Sequence, residues 1–582
     1  MKSVSDILTE RVAVAIKAAT GRDAPALLKP SSEERFGDYQ VNGVMSLAKQ
    51  LKSNPHQLAQ KIIQLLKLDD ICQPPEVAGP GFINLRLRQH WIENRTASLC
   101  ADDRLGVDQV AEPQTVVIDY AGPNLAKEMH VGHLRSCIIG DCLARLTDFL
   151  GHQVIRQDHV GDWGTQFGML ITYLRRTQPN TLDGSSALHL ADLEEFYRQA
   201  KQLFDSDADF AARARQAVVD LQSHQPDTLK VWQLFREESL RHAAAIYSRL
   251  GLLMRPEDVR GESAYNDDLP DVVAELDSLG MITESDGAAC VFLEGFAAKD
   301  GSPLPVIVRK SDGGFLYATT DLAALRYRLG ILNADRIIYV TDARQRLHFQ
   351  QIFAVARRAG FAKPSTVLEH VPFGSMLGPD GRPFKTRQGG TVKLAQLLDQ
   401  AQQRALQPVS EKNPDLPEDL RRRIAEVVGL GAVKYTDLSQ NPTSDYIFDL
   451  EKMLSLDGNT APYLQYAYVR VQSIFRKGQI NQDQLRSVPP TIHLNHRAEL
   501  ALAKHLLRLP EIIYQAQSSY KPNLLCTYLH QLAGRFTSLY ESCPVLSAAE
   551  PTRTSRLLLS DLTARVLKLG LGLLGIDTIS QM

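Results

Sequence analysis

Residues 115–136 read TVVIDYAGPNLAKEMHVGHLRS, and this stretch decides the fold. The β-branched run at 115–120 is typical of a buried parallel strand, and the Ala-Gly-Pro-Asn sequence at 121–124 breaks it. Apolar residues recur at multiples of four between residues 134 and 150, which predicts a helix, and a second strand follows at 153–156. A strand, a helix and a strand in this space predict a βαβ unit with a parallel sheet.

A second set of strand-like runs follows a long insertion. Residues 304–308 and 336–340 have the pattern of buried strands, and residues 321–329 between them predict a helix. A polar and mostly helical pattern from about 170 to 300 separates them from the first βαβ unit. Two βαβ halves predict an α/β doubly wound, Rossmann-like domain with an insertion, whose ligands bind at the carboxyl ends of its strands.

The length of 582 residues is too great for one hydrophobic core and predicts several domains. We expect a small N-terminal α/β domain at 1–112, the doubly wound domain at 113–400 with its insertion at about 170–300, a helical connector at 401–451 and an all-α helical bundle at 452–582. This division rests on where the helical and strand-like patterns change.

Composition narrows the class of protein. Hydrophobic residues make up 44% and charged residues 23% of the chain, as in ordinary globular proteins. No apolar run reaches the roughly 18 residues of a membrane span, and the N-terminal residues lack the pattern of a signal peptide. The seven cysteines include no Cys-x-x-Cys pair, which argues against a disulfide framework and a structural zinc site. We therefore expect a cytoplasmic protein with no membrane contact and no protein-bound metal.

Charge is distributed unevenly along the chain. The net charge is −2, yet residues 452–582 contain 14 Lys+Arg and 8 Asp+Glu, an excess of six positive charges. A basic region on an acidic body favours a surface that faces phosphate, although an ordinary solvated surface can carry the same excess.

The tetrapeptide His130-Val131-Gly132-His133 lies where the first strand gives way to its helix. Backbone N–H groups at a helix N-terminus attract phosphate, and a glycine there lets a nucleotide approach the main chain. Two histidines can donate hydrogen bonds to phosphate oxygens as charge shifts at a reacting phosphorus. The motif alone also fits an ordinary capped turn, and its position between a strand and a helix favours the nucleotide site.

Residues 119–136 resemble the extended signature of class I arginyl-tRNA synthetases, of which most class I synthetases share only the final His-x-Gly-His part. Residues 161–168, GDWGTQFG, resemble a second block of that family. The likeness continues at 389–394, GGTVKL, and at 573–576, LLGI, so it spans essentially the whole chain.

The resemblance implies arginine–tRNA ligase activity in two steps. L-Arginine reacts with ATP to give arginyl-adenylate and pyrophosphate, and a ribose hydroxyl of tRNA(Arg) then takes the arginine and releases AMP. ATP with Mg²⁺ is therefore an implied substrate. The resemblance also implies a monomer, and an activation step that can depend on bound tRNA.

The arginine site can be argued from the chemistry of its ligand. Two carboxylates and a neutral hydrogen-bonding group suit the planar donors of a guanidinium. By resemblance, Asp119, Tyr317 and Asp321 match the guanidinium contacts, and Asn124 and Gln345 match the contacts to the other end of the substrate. A helix N-cap is an equally good reading of Asp321 taken alone.

The nucleotide end departs from the usual class I pattern, because no Lys-Met-Ser-Lys-Ser loop is present. The resemblance implies that Lys127, just before the first histidine, substitutes for the loop lysine, with Lys385 or Arg387 sharing the work. A solvated loop lysine is the alternative for Lys127. The backbone at Gly132 and, by position, His348 are expected to border the nucleotide.

Two surfaces are expected to contact tRNA. Tyr463, Tyr466 and Arg470 lie at the start of what resembles the anticodon-binding bundle, and aromatic rings with arginines suit unstacked bases. The same spacing also fits helix packing, which is the better reading for at least half of these aromatic residues. Phe82 and Asn84 match positions that hold a base of the tRNA elbow in the family.

Three other functions are compatible with parts of the sequence. A cysteinyl enzyme of the same class would want a thiolate–zinc site that the cysteine spacing does not offer. A small-substrate adenylating ligase would not need the basic helical C-terminal region. A synthetase-like RNA-binding protein with an inactive site would have lost one of the histidines, Lys127 or the two acids, and all of these are present.

Overall fold

The computed structural model describes residues 2–31, 33–178, 193–378, 380–382, 384 and 392–581. The chain forms two compact units. Unit 1 contains residues 1–109, 455–572 and 577–582, whereas unit 2 contains residues 110–454 and 573–576. Unit 1 is therefore built from both ends of the chain.

The central sheet of unit 2 is parallel. Its four strands are β5 (Thr115–Asp119), β6 (Gln153–Gln157), β10 (Arg336–Asp342) and β11 (Val367–Phe373), in the order β11-β10-β5-β6. Helix α5 (Val131–Phe149) joins β5 to β6, and α12 (Arg346–Arg358) joins β10 to β11. The predicted doubly wound fold is confirmed.

The second half of the sheet differs from the prediction. The expected strand at 304–308 is β9 (Val306–Arg309), which pairs antiparallel with β8 (Ala288–Val291) in a separate sheet completed by β7 (Ile282–Ser285). Its side chains alternate between buried and exposed, as expected of a strand with one solvated face. The prediction that it belongs to the parallel sheet was therefore wrong, and β11, which was not predicted, takes that place.

Close packing joins α5 to β5. A Cβ at Gly140 would lie 2.2 Å from the Tyr120 Cβ atom, so a glycine is what allows the helix to lie against the end of the strand. Tyr120 and the α5 residues Leu134 and Cys137 are buried.

The remaining helices of unit 2 surround the sheets. They are α6 (Thr165–Thr177), α7 (Leu193–Ser206), α8 (Ala208–Gln222), α9 (Pro226–Leu250), α10 (Leu269–Ser278), α11 (Tyr317–Gly330), α13 (Leu394–Lys412), α14 (Glu418–Leu438) and α15 (Leu450–Met453). Two short strands, β12 (Met376–Leu377) and β13 (Tyr446–Ile447), pair in parallel. Leu125 and Ala126 pack in one apolar cluster with Phe167 and Phe196, so the segment before α5 rests on the inserted helices.

The N-terminal part of unit 1 is a small antiparallel sheet with helices. Its strands are β1 (Leu28–Pro30), β2 (Tyr39–Val41), β3 (Glu76–Ala78) and β4 (Phe82–Leu85), in the order β1-β2-β4-β3. Its helices are α1 (Val4–Thr20), α2 (Gly43–Leu51), α3 (Pro55–Leu65) and α4 (Gln89–Cys100).

The C-terminal part of unit 1 is a helical bundle, as predicted. Its helices are α16 (Ala461–Gly478), α17 (Gln482–Arg486), α18 (Arg497–Leu506), α19 (Leu509–Ser518), α20 (Pro522–Ser542) and α21 (Thr552–Leu573). The Tyr39 hydroxyl on β2 donates to Glu511 Oε1 at 2.6 Å and thereby joins the sheet to the bundle. None of the helices in the described ranges is long and apolar enough to cross a membrane.

Candidate active site

The turn after β5 fixes the rim of a cavity. Ala121 and Gly122 adopt positive φ angles of 71° and 52°. The Ala121 N–H donates to Ser136 Oγ at 3.0 Å, and this hydroxyl donates to the Val340 carbonyl at 2.6 Å. These bonds tie together the end of β5, the first turns of α5 and β10.

A cavity of about 630 Å³ opens at the carboxyl ends of β5 and β10. The predicted site residues that line it are Asp119, His130, Gly132, His133, Tyr317, Asp321, Gln345 and His348. Asn124 and Lys127 are not among its lining residues, and Lys385 and Arg387 lie outside the described residues. Of the ten predicted contacts to arginine or ATP within the described ranges, eight therefore line one cavity.

The two histidines have a defined hydrogen-bonding pattern. His130 is the N-cap of α5, its Nδ1 accepts from the Gly132 N–H at 3.0 Å, and His133 Nδ1 accepts from the His130 N–H at 3.1 Å. Because each Nδ1 atom accepts, each neutral ring carries its proton on Nε2. Burial and the charge of Lys127 lower the pKa of His130, while burial and the His130 ring lower the pKa of His133 to about 4. Neutral rings with Nε2–H donors at a helix N-terminus suit phosphate oxygens.

The structure gives a second reason for a glycine at position 132, besides the approach of a nucleotide. A Cβ at this position would lie 2.8 Å from His130 Cε1 and 2.9 Å from His130 Nδ1. The glycine thus leaves room for the His130 ring to fold back over the first turn of α5, so the capped turn and the nucleotide site are compatible readings of one motif.

Asp321 occupies the second turn of α11 and faces two imidazoles. Its Oδ2 atom lies 2.6 Å from His348 Nε2, and its Oδ1 atom lies 3.9 Å from His159 Nε2. The Tyr317 ring, 65% exposed, packs edge-on against the His348 ring at 4.9 Å. The N-cap of α11 is Leu316, so Asp321 is not the helix cap that the sequence also allowed.

His348 therefore lies with the predicted arginine contacts. From the sequence it was expected to border the nucleotide. Because α12 begins at Arg346 and packs against α11, the first turn of α12 brings His348 to Asp321. The contact that the structure shows for His348 is therefore the one with the Asp321 carboxylate.

Glu262 lines the same cavity and was not predicted from the sequence. Burial, followed by the charges of Asp321 and Asp162, raises its pKa to about 8. No hydrogen bond to its carboxylate occurs within the described part of the chain. The residue begins a short 3₁₀ helix, Glu262–Asp268, and no motif around it signals a ligand, so only the folded chain reveals the acid.

Asp119 already has a partner in the fold. The Arg328 Nη2 atom donates to Asp119 Oδ2 at 2.7 Å, and Arg328 Nε donates to Gln157 Oε1 at 2.6 Å. Burial alone would lower the pKa of Arg328, but the Asp119 carboxylate raises it above its usual range. Arg328, which the sequence analysis missed, thus balances the acid that was predicted to meet a guanidinium.

Asn124 and Lys127 belong to the segment that leads into α5. The Asn124 side-chain oxygen accepts from the Ala126 N–H at 3.0 Å, which shapes the loop. The Lys127 ammonium lies 4.6 Å from the centre of the Tyr197 ring on α7, a cation–π contact. Lys127 is also exposed, as the alternative of a solvated loop lysine expects, so its role stays a prediction.

The predicted tRNA contacts of the bundle lie on α16. Tyr466 is 39% exposed, and the Arg470 guanidinium lies 5.0 Å from its ring and 5.6 Å from the Tyr540 ring on α20. Tyr463 packs against the His530 ring at 5.5 Å. Tyr466 is thus exposed, whereas Tyr463 and Arg470 are half-buried and each contacts a ring of α20.

Phe82 and Asn84 lie on β4 of the N-terminal sheet. Asn84 is 8% exposed, and its Oδ1 atom accepts from Gln40 Nε2 at 2.9 Å across the strand pair. Phe82 is half-buried at the start of the strand.

Family models cover most of the chain. The model described as "tRNA synthetases class I (R), catalytic domain" matches residues 95–450. The "DALR anticodon binding domain" matches residues 464–582, and the "Arginyl tRNA synthetase N terminal domain" matches residues 6–87.

Relatives match over the full length. An arginine–tRNA ligase of Hahella chejuensis is 52% identical over 581 residues, and one of Laribacter hongkongensis is 53% identical over 580, each alignment covering 100% of both chains. The crystal structure of the Plasmodium falciparum arginyl-tRNA synthetase superposes with a TM-score of 0.88 at 30% identity and covers 100% of both chains. The Thermus thermophilus arginyl-tRNA synthetase gives 0.80 at 25% identity with the same coverage.

Proposed function

The chain belongs to the arginyl-tRNA synthetases and has arginine–tRNA ligase activity, and from this premise we propose how its cavity divides arginine from ATP. The carboxylates Glu262 and Asp321 receive the guanidinium, and the histidine pair at the start of α5 receives the phosphates. The carboxylates then offer negative charge to the positive guanidinium, and the histidines offer hydrogen-bond donors to the phosphate oxygens.

The charge balance of the cavity supports the guanidinium site. Four carboxylates line it, namely Asp119, Glu262, Asp321 and Asp342. Arg328 pairs with Asp119, and Arg344 pairs with Asp342 at 2.7 Å. Glu262 and Asp321 are left without a Lys or Arg partner in the described part of the chain, and this is the observation that carries the proposal.

The raised pKa of Glu262 supports the same assignment. A guanidinium between Glu262 and Asp321 would offset their mutual repulsion and restore the charge of the buried acid. Tyr317, on the exposed side of α11, can close over the guanidinium plane, and Gln345 at the cavity edge can donate to the substrate carboxylate. Asp119 acts through Arg328 by holding the floor of the cavity, and Asn124 holds the loop before α5.

The phosphate end follows from the tautomers of the histidines. His130 and His133 donate from Nε2 to phosphate oxygens as the arginine carboxylate attacks the α-phosphorus and pyrophosphate leaves. The N–H groups at the start of α5, including that at Gly132, add their dipole. We propose that the ammonium of Lys127 turns from the Tyr197 ring to the phosphates, and Lys385 and Arg387 are further candidates for that role.

tRNA is the third substrate of the ligase, after arginine and ATP. Tyr466 and Arg470 are the better supported anticodon contacts, because Tyr466 is exposed and the Arg470 guanidinium lies against its ring, and Tyr463 contributes by fixing α16 against His530. Phe82 and Asn84 remain candidates for a base of the tRNA elbow, with Gln40 as the partner of Asn84. ATP enters with Mg²⁺, and we propose a monomer in the cytoplasm, where all seven buried cysteines stay reduced.

Arginine-dependent exchange between ATP and pyrophosphate tests the proposed function. We expect exchange with arginine, either in the absence of tRNA or after tRNA(Arg) is added. We expect no exchange with lysine or cysteine under either condition. Asp321→Ala should reduce the use of arginine far more than that of ATP. Equal loss for both substrates would mean that the pocket is misplaced, and no exchange by folded protein would contradict the activity.

A further inference from the structure

A second cavity lies wholly within unit 1, between the N-terminal sheet and the bundle. Its volume is about 300 Å³. Four basic side chains line it, namely Arg497, Lys504, Arg508 and Arg535, together with the acids Glu33, Glu34 and Asp38. We refer to it below as the basic cleft. It shares no lining residue with the candidate active site.

Most of the acids at the basic cleft already have partners. Lys504 Nζ lies 2.7 Å from Asp38 Oδ1, and Arg35 Nε lies 2.8 Å from Glu33 Oε2. The nearby Glu511 accepts from the Tyr39 hydroxyl at 2.6 Å and from the Ser5 N–H at 3.0 Å. These pairs leave Glu34 as the lining acid without an ion pair among the described residues, one carboxylate beside three arginines.

Two of the arginines are poorly matched. Arg508 Nε is buried without a hydrogen-bond partner and lies 3.8 Å from Glu511 Oε2, beyond hydrogen-bond distance. Arg535 forms no hydrogen bond or ion pair within the described ranges. Partial burial of its guanidinium and the charge of Arg508 lower the pKa of Arg535, against a weaker opposite effect of Glu34. Two like charges therefore converge on one cavity with an unsatisfied donor.

A buried histidine, His505, also lines the cleft beside these arginines. His505 is 3% exposed, its ring stacks on the Tyr528 ring at 4.5 Å, and its Nε2 atom lies 3.0 Å from the Tyr528 carbonyl oxygen. Burial lowers its pKa to about 3 against the opposing hydrogen bond to the Tyr528 carbonyl, and the charges of Arg535 and Arg508 add smaller contributions in the same direction as burial. The cleft also explains part of the excess positive charge found in residues 452–582.

We propose that the basic cleft binds a phosphate group, held by the guanidinium groups of Arg508 and Arg535, and that a backbone phosphate of bound tRNA supplies it. A guanidinium presents paired donors that match phosphate oxygens, and an anion would satisfy Arg508 Nε while offsetting the repulsion between the two arginines. The four basic side chains of the cleft belong to the region that matches an anticodon-binding domain, which favours RNA as the source. The assignment does not depend on which residues bind arginine.

Binding of tRNA(Arg) by the full-length protein tests this site. The variants are Arg535→Gln, Arg508→Gln and the conservative Arg535→Lys, with Arg22→Gln as control, an exposed arginine after α1 in the same unit. Dissociation constants are measured between about 50 and about 200 mM KCl. We expect Arg535→Gln and Arg508→Gln each to weaken binding about 5- to 10-fold at low salt and to reduce the salt slope by about 1, with Arg535→Lys intermediate and Arg22→Gln unchanged.

A second measurement separates the sources of phosphate. Inorganic phosphate is compared with chloride of equal ionic strength for its effect on the thermal unfolding of wild type and of the Arg508→Gln, Arg535→Gln double variant. Stabilisation by phosphate that the double variant loses, with unchanged tRNA binding, would overturn the RNA source and leave a site for free phosphate. No effect in either measurement would overturn the site. Arginine-dependent pyrophosphate exchange at saturating tRNA should stay within about 2-fold of wild type, so failure here is distinct from failure of the ligase assignment.

Discussion

The two cavities have opposite charge and shift the pKa of a buried group in opposite directions. In the active-site cavity, burial and neighbouring carboxylates raise the pKa of Glu262 to about 8. At the basic cleft, burial and neighbouring guanidinium groups help to lower the pKa of His505 to about 3. In both places the ionised form of the buried group is disfavoured, chiefly by burial and further by neighbouring charges of the same sign.

In both cavities, a charged side chain without an ion-pair partner in the fold indicates a ligand of the opposite charge. Asp119 and Asp38 are acids at the two cavities, yet each has a basic partner in the fold and so carries little information about a ligand. Glu262 and Arg535 lack such partners among the described residues, and they are the informative groups. Four predictions test this contrast, from the largest expected effect to the smallest.

Replacing Glu262 should have the largest effect. Glu262→Gln keeps the shape and removes the charge, so we expect kcat/KM for arginine to fall about 100-fold, because a hydrogen bond between charged groups contributes about 1.5–3 kcal/mol. The KM for ATP should change less than about 3-fold. Pyrophosphate exchange measures both. Glu257→Gln is the matched control, because Glu257 is an exposed acid in the short 3₁₀ helix Pro256–Asp258. An equal loss for ATP would contradict the division of the cavity.

His505 should make the bundle sensitive to acid. The unfolded chain protonates this histidine below about pH 6.5, whereas folded His505 stays neutral to about pH 3, so the unfolded state binds more protons and stability falls between those values. The loss attributable to His505 is about 2 kcal/mol at about pH 5. Unfolding experiments at about pH 7.5 and pH 5 should show a smaller loss for His505→Gln. An identical loss in both proteins would show that His505 is not the group responsible.

The affinity for arginine should increase with pH. Glu262 binds a guanidinium only when ionised, and its pKa in the empty cavity is about 8. The KM for arginine is therefore expected to fall nearly 10-fold for each pH unit up to about 8 and then to level off. Steady-state exchange across this range tests it, and the dependence should be absent from Glu262→Gln. A flat profile for wild type would mean that Glu262 is already ionised without arginine.

Tyr197 should have the smallest effect. Tyr197→Leu removes the ring that holds the Lys127 ammonium, a contact of about 0.5–1 kcal/mol at an accessible site, so exchange with tRNA present should rise about 3-fold. Tyr197→Phe keeps the ring and should behave as wild type. A fall for Tyr197→Leu alone would mean that the contact already holds Lys127 in its working position.

The sequence predicted the part of the site that depends on local order. The positions of His130, Gly132 and His133 relative to the strand follow from the local sequence of strand, turn and helix. One helical turn likewise links Tyr317 to Asp321. The sequence could not show Glu262 or Arg328, because Arg328 is separated by 209 positions from Asp119, and Glu262 is likewise distant in sequence from Asp321, whose charge acts on it. The partners Asp321 and Asp119 alone do not reveal them.

The fold shows the same limit. The run at 304–308 has the composition of a buried strand, and composition does not specify its neighbour, so β9 was assigned to the wrong sheet. The pairing of β10 with β5 and β11 depends on the crossovers through which those strands are connected. Helices of the bundle were predictable because their periodicity is local.

Unit 1 is assembled from the two ends of the chain, and this has a consequence during synthesis. Tyr39 precedes its hydrogen-bond partner Glu511 by 472 residues. At about 5–20 residues per second, a ribosome needs about 25 to 95 s to deliver the second after the first. During that time the N-terminal sheet has to stay folded through its own hydrophobic core alone. Substitutions that weaken this core will therefore lower the yield of folded protein before they change its activity.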